Sequence, residues 1–179
     1  MGPIEFIVNN PAYVVGGVLL LGMVYLLFRS SKRSLDRAAA PRRNLTYECV
    51  VTPALEADDT LRSQFAEIDS LGPLDSLRLV RFGLFNWGTL TLEPDHIQKP
   101  IAVRFGEQDE VVHAAIGEVL KTKFEMPEPP VADGSIVRFA PFSMSARGTV
   151  IFNFVVRGAA DSIRVDGFIE DGGPIRRLT

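Results

Sequence analysis

Two histidines, one cysteine and scattered carboxylates are the groups in this 179-residue sequence suited to acid–base, nucleophilic or metal chemistry. His96 follows Pro94-Asp95 in a turn, and His113 falls in the apolar stretch Val111 to Lys121. With Glu107 or Asp109 they would make a metal set, but the spacing matches no known ligand pattern. Each histidine reads as a surface or core-edge residue. Cys49 lies in LTYECVVT with no basic partner in its motif, so it reads as a small buried thiol. A lone cysteine excludes an intramolecular disulfide and fits a reducing compartment. Gly83 to Thr89, GLFNWGT, has the glycine spacing of a phosphate loop but lacks its lysine and lies between strands. Glu107, Asp109 and Glu110 lack the register of a calcium loop and read as a solvated turn. Paired carboxylates for glycoside chemistry require a geometry that no motif here announces. The sequence therefore assigns no catalytic residue, no metal ligand and no cofactor, and the expectation is a protein that is not an enzyme.

The element that positions everything else is Ala12 to Phe28, AYVVGGVLLLGMVYLLF, an apolar run without a charge. As a helix it spans about 26 Å, close to the ~30 Å of bilayer hydrocarbon once a flanking turn is added. Asn10 caps it, Pro11 suits its first turn, and Tyr13, Tyr25 and Phe28 fit the interfacial aromatic belts. A buried core helix is the bland alternative, but the run is apolar all round rather than on one stripe. A cleaved signal peptide is the other, but MGPIEFIVNN has no Lys or Arg, and Ala38-Ala39-Ala40 comes late for cleavage. The expected organisation is a short extracytoplasmic N-terminus (1–10), a transmembrane helix (11–28), a basic juxtamembrane linker (29–43) and a soluble domain (44–179).

Charge orients the anchor. Arg29, Lys32, Arg33, Arg37, Arg42 and Arg43 follow it against Asp36 alone, so the C-terminal side is expected in the cytoplasm of a bacterial inner membrane. The same six residues suit anionic lipid headgroups, although a topology signal alone explains them. Residues 29–43 carry +5 and residues 44–179 carry −7. An acidic domain is a poor match for nucleic acid. Ala12, Gly16, Gly17 and Gly22 are small residues that allow another transmembrane helix to approach closely.

The soluble part reads as strands. Residues 59–71, with Leu61, Phe65 and Ile68 at helical spacing before Gly72-Pro73, form the one amphipathic helix signal. From Leu77 the period becomes two. LRLVRFGLF puts Val80, Phe82 and Leu84 on one face, Asn86-Trp87-Gly88 supplies a turn, and TLTLE reads as the returning strand. PIAVRFG alternates Ile101, Val103 and Phe105 against Ala102 and Arg104, and GTVIFNFVV alternates Val150, Phe152, Phe154 and Val156 against Ile151, Asn153 and Val155. Val111 to Lys121 suits helix or strand, and its neighbours favour strand. Asp133-Gly134 is a hairpin signal, IRVDGFIE and PIRRL close the chain, and seven to nine short strands imply an antiparallel β-sandwich.

Residues 45–178 resemble a bacterial domain family of uncharacterised function that is appended to a single N-terminal membrane helix. The resemblance lies in LTYECVVTPAL, in LRLVRFGLFNWGTLTLEPDHIQKPIAVRF with Asn86, Gly88, Pro100 and Ile101, and in APFSMSARGTVIFNFVVRG with IRVDGFI. Where the family's late loop reads Leu-Asn-Pro-Gly-Asp, this chain has Met144-Ser145-Ala146-Arg147-Gly148. The resemblance implies an Ig-like sandwich and no catalytic residues.

Trp87 at the tip of such a sandwich suits a partner contact, although it would equally serve to cover the end of the domain. The expected function is an accessory subunit that docks into an integral membrane complex of photosynthetic or respiratory type and touches membrane lipids. In layout alone it is similar to the H subunit of purple bacterial reaction centres. The alternative is a tethered module that binds a soluble protein or ligand.

Overall fold

The structure is a computed structural model that describes residues 42–57, 59–63, 65 and 71–178. The chain divides into two compact units, 1–40 and 41–179. The expected anchor Ala12 to Phe28, with Ala12, Gly16, Gly17 and Gly22, lies outside the described residues, as do Arg29, Lys32, Arg33 and Arg37. Among the described residues, no helix is long and apolar enough to cross a membrane.

The second unit is a mainly antiparallel β-sandwich. Its first sheet has the order β12-β1-β2-β9-β4, from β1 (Leu45–Pro53), β2 (Leu77–Asn86), β4 (Glu110–Leu120), β9 (Thr149–Arg157) and β12 (Arg176–Arg177). The second has the order β11-β10-β3-β7-β6, from β3 (Ile97–Arg104), β6 (Val131–Asp133), β7 (Ile136–Arg138), β10 (Arg164–Ile169) and β11 (Gly173–Pro174). A small pair joins β5 (Phe124–Glu125) to β8 (Ser143–Met144).

Alternation in the sequence builds the core between the sheets. Val80, Phe82 and Leu84 on β2 and Val150, Phe152, Phe154 and Val156 on β9 are fully buried. They meet Ile101 and Val103 on β3, Val137 on β7, and Phe105 and Phe139. Phe139 meets Phe152 edge-on at 4.8 Å between ring centres, a geometry that favours aromatic pairs beyond simple burial. A second, smaller core lies on the outer side of the first sheet. There Leu77, Leu79 and Val155 are covered by Ala54, Ala57 and Phe65 around the short helix α1 (Asp59–Ser63).

The stretch Val111 to Lys121 forms strand β4, because β9 offers it an open edge over its whole length. The Asp133-Gly134 signal forms the β6–β7 hairpin, with Gly134 at φ 58° where a side chain would be strained.

Of the helix expected over 59–71, Asp59–Ser63 is helical and Phe65, outside it, is buried, while residues 64 and 66–70, Ile68 among them, lie outside the described residues. Two expectations are corrected. TLTLE does not return beside β2, since β1 and β9 occupy both edges of that strand. Instead residues 87–96 cross to the second sheet, and Leu92 buries while exchanging two backbone hydrogen bonds with Met144 (2.9 and 2.8 Å). The acidic turn is not simply solvated. Asp109 is buried and accepts hydrogen bonds from the N–H groups of Gly106 (2.9 Å), Ala159 (3.0 Å) and Ala160 (3.3 Å). It ties the β3–β4 turn to the loop before β10. Replacing it with Ala strands these donors and is expected to cost about 3 kcal/mol, measured by thermal unfolding against wild type.

Candidate docking surface

The residues with catalytic potential are not brought together. His96 ends a 3₁₀ turn (Pro94–His96) at the start of β3, where its Nδ1 accepts the Glu93 N–H (3.0 Å) and its Nε2 lies 2.8 Å from Arg43 Nη2. His113 sits on β4 of the other sheet, opposite Val155. Glu107 is in the exposed turn between β3 and β4, and Glu110 pairs with Arg157. Among the described residues, no group of three His, Cys, Asp or Glu could hold a metal ion.

Cys49 points inward from β1 and lines a cleft of about 310 Å³ with Tyr47, Asp161, Ser162, Arg164 and Arg177. Burial pushes its thiol up to about 11; Arg177 opposes that shift and Glu48 adds to it. At pH 8 the thiolate fraction is then about a hundredfold below that of an ordinary cysteine. Alkylation by iodoacetamide at pH 8 is expected to be slower by about that factor than in the unfolded chain, and to stay slow until the pH passes about 10.

The register of the first sheet arranges its outer face in rows across β1, β2, β9 and β4. Thr52, Leu79, Val155 and His113 form the row beneath the α1 segment. The next is Val50, Arg81, Asn153 and Ala115, then Glu48, Gly83, Ile151 and Glu118, then Thr46, Phe85, Thr149 and Leu120. The last row adjoins the end where the chain enters the domain. Arg81 reaches over β9 to Glu118 at 3.1 Å, dividing the covered half from the open half.

Gly83 shapes the open half. A Cβ there would lie 2.9 Å from the ring carbons of Phe85, so the absence of a side chain lets that ring lie down on the sheet. Trp87 stacks on Phe85 with ring centres 6.3 Å apart and planes 17° apart. Trp87 is 44% exposed and Leu120 43% exposed. Together with Val50 and Ile151 they make an apolar, aromatic platform beside a shallow hollow of about 210 Å³.

The platform is fixed to the start of the domain. Trp87 N–H donates to Asn44 C=O (2.8 Å), and Thr89 N–H donates to Arg42 C=O (2.9 Å). Gly88 has no room for a Cβ, which would collide with the Arg42 carbonyl oxygen and lie 2.9 Å from Asn44 N. Behind it Asn86, 2% exposed, acts as a hub. Its Nδ2 donates to the carbonyls of Leu90 (3.0 Å), Ser145 (3.1 Å) and Met144 (3.3 Å), and its Oδ1 accepts from Gly88 N–H (3.0 Å).

Of the six basic residues expected to meet headgroups, Arg42 and Arg43 are described. Arg43 turns into the domain, 3.1 Å from Asp171 and 3.8 Å from Glu170, with its side chain 15% exposed. The domain's contacts thus begin before residue 44. The outer face of the second sheet is different in kind. Arg104 and Lys99 lie 2.8 and 3.8 Å from Asp166, and the Arg104 hydrogen bond holds the Asp166 carboxyl below its usual range. Exposed Phe168 and Val131 stand singly among these ions, so the contiguous apolar surface belongs to the first sheet.

Trp87 was legible in the sequence as a tip aromatic. Phe85, Val119 and Leu120 were not, because alternation alone assigns a face but not whether that face stays open.

No protein-family model matches the chain, and no curated protein matches it. The resemblance of residues 45–178 to a bacterial family therefore rests on the quoted segments alone. Among solved structures the chain is similar to a family IIIA CBD from Clostridium cellulolyticum, with 12% identity and a TM-score of 0.36 over 78% of this chain and 99% of that chain.

Proposed function

We propose that this protein is a non-catalytic, single-pass accessory subunit of a bacterial inner-membrane complex of photosynthetic or respiratory type. Its helix docks into the partner within the bilayer, and its cytoplasmic domain, Ig-like in its finer arrangement, braces the partner's cytoplasmic face. The observation that carries this reading is where the platform sits. Trp87 N–H donates to Asn44 C=O, so exposed Trp87, stacked on half-buried Phe85, lies at the end where residues 42–44 enter the domain. In this reading that surface is the one offered to the partner. The acidic balance of residues 44–179 argues for a protein surface there rather than an anionic lipid surface.

The test is purification of the full-length protein from mild detergent. A membrane protein complex is expected to co-purify in fixed ratio. A protein that runs alone in several mild detergents would sink the proposal. The second reading, a tethered module that captures a soluble target, is favoured by an apolar groove beside β4, lined by Ile116, Val119, Phe124 and Met126. It predicts capture after the bilayer is removed and without a membrane protein in the complex.

A further inference from the structure

β4 is the outermost strand of the first sheet and its longest, at eleven residues. Edge strands present unpaired N–H and C=O groups, and proteins usually protect them by shortness, charge or bulges. Here backbone pairing on the side away from β9 is confined to the first half. Val111 N–H donates to Gly134 C=O (2.8 Å), the one backbone hydrogen bond β4 makes away from β9 among the described residues. Bulges lie between Val111 and His113 and, at Gly117, between Ile116 and Glu118. Beyond the second, Glu118 to Leu120 pair regularly with β9 until Lys121, whose positive φ of 52° ends the strand.

Apart from Glu118, which pairs with Arg81 on the outer face, the uncovered half is apolar. Ile116, Val119 and Leu120 are 39%, 45% and 43% exposed. Ile116 and Val119 pair with the inward residues Phe152 and Val150, so they lie on the inner side of the sheet. There they meet Phe124, Met126 and Pro127 in a groove of about 690 Å³ running alongside the edge. The ionisable groups in its lining are carboxylates, Glu93 and Glu125, of which Glu125 is held by Lys123 at 3.0 Å.

From this edge we propose that β4 receives an added strand: an extended peptide pairing with Glu118 to Leu120, with apolar residues at alternate positions and a cationic residue near Glu93. An exposed backbone edge selects an extended occupant, since a helix satisfies its own N–H and C=O groups and offers the edge nothing. In a paired strand every second side chain points to one face, which would drop alternate residues into the groove over Ile116, Val119 and Phe124. The acidic lining, within a domain segment of net −7, favours a cationic peptide over an acidic one. This site adjoins the Trp87 platform at Leu120, whose row lies on the outer face, and does not depend on the membrane partner proposed above.

The test uses the full-length chain in nanodiscs of uncharged phosphatidylcholine, so that a cationic peptide has no anionic lipid to bind. The probe is a fluorescent eight-residue peptide with valine at every second position, threonine between and an N-terminal arginine. Its control has the same composition with the valines contiguous. The alternating peptide is expected to bind at least tenfold more tightly than the control and to slow amide exchange within residues 118–120. Val119→Lys, which puts a charge into the groove, is expected to lower its affinity at least tenfold, while Phe168→Ala, at an exposed position of the second sheet, leaves it unchanged. Equal or absent binding of the two peptides overturns the proposal, as does protection that appears away from β4. Self-association that protects 118–120 without peptide overturns it in favour of a second copy as occupant. Should Val119→Lys not fold, the exchange measurement on the wild type still decides.

Discussion

Asn86→Asp is expected to destabilise the domain by about 3 kcal/mol or more at neutral pH, despite being nearly isosteric. The wild-type amide donates to three carbonyls, of Leu90, Met144 and Ser145, and accepts from Gly88. A carboxylate keeps the acceptor and replaces the donor with a negative oxygen aimed at those three carbonyl oxygens. Stranding a buried polar group costs about 1–3 kcal/mol, and a charged group costs more. The sign of the pH dependence follows. In the folded variant the carboxyl is held above its unfolded value of about 3.9, because its neutral form regains one O–H donor. The defect is therefore smallest below that value and grows as the pH rises through the folded-state pKa. Denaturant titration followed by Trp87, the single tryptophan of the chain, reads this out beside the site itself. A variant as stable as wild type at pH 7 would refute the hub assigned to Asn86.

Trp87→Glu is expected to have the opposite profile, with little change in stability and a large loss of docking. Its side chain is 44% exposed, so its removal from the free domain is expected to cost no more than about 1 kcal/mol. At an interface a central tryptophan contributes about 2–4 kcal/mol, and at 1.4 kcal/mol per factor of ten that is a loss of about 30-fold to 1,000-fold in affinity. The readout is the yield of co-purifying membrane partner per mole of full-length protein, with Trp87→Phe as the conservative control. Unchanged yield from Trp87→Glu, with the protein folded, would remove Trp87 from the interface. Gly83→Ala gives an independent handle. A Cβ at that position must displace the Phe85 ring, so the stacked pair would be disturbed without touching Trp87.

Much of the architecture was readable because burial on one face of a strand leaves a period of two. GTVIFNFVV, LRLVRFGLF and PIAVRFG each place their expected residues in the core. Val111 to Lys121 was ambiguous because its apolar residues suit both periods. The edge of β9 decides the matter, and an available edge is a tertiary fact. TLTLE failed for the same reason in reverse: its alternation is sound, but both neighbours of β2 were already taken. Asp109 and Arg43 look like solvent residues in any local window. Their partners, Ala159 and Asp171, lie far along the chain, and no local pattern encodes such pairs. The candidate surface around Trp87 was half legible. A tip tryptophan announces itself, whereas an uncovered edge is visible only once the strand order is known.

That strand order also sets a timetable. β2 is complete by residue 86, yet the strand that pairs along its second edge, β9, does not begin until Thr149. On a ribosome adding about 5–20 residues each second, the interval is several seconds. Throughout it Val80, Phe82 and Leu84 have no partner strand from β9, and β4 waits for the same arrival. Loop closure over such separations makes folding slow. The nascent domain thus passes through a sticky stage that a chaperone is placed to shield. Slowing elongation between codons 87 and 148 should lengthen that stage and raise the fraction lost to aggregation.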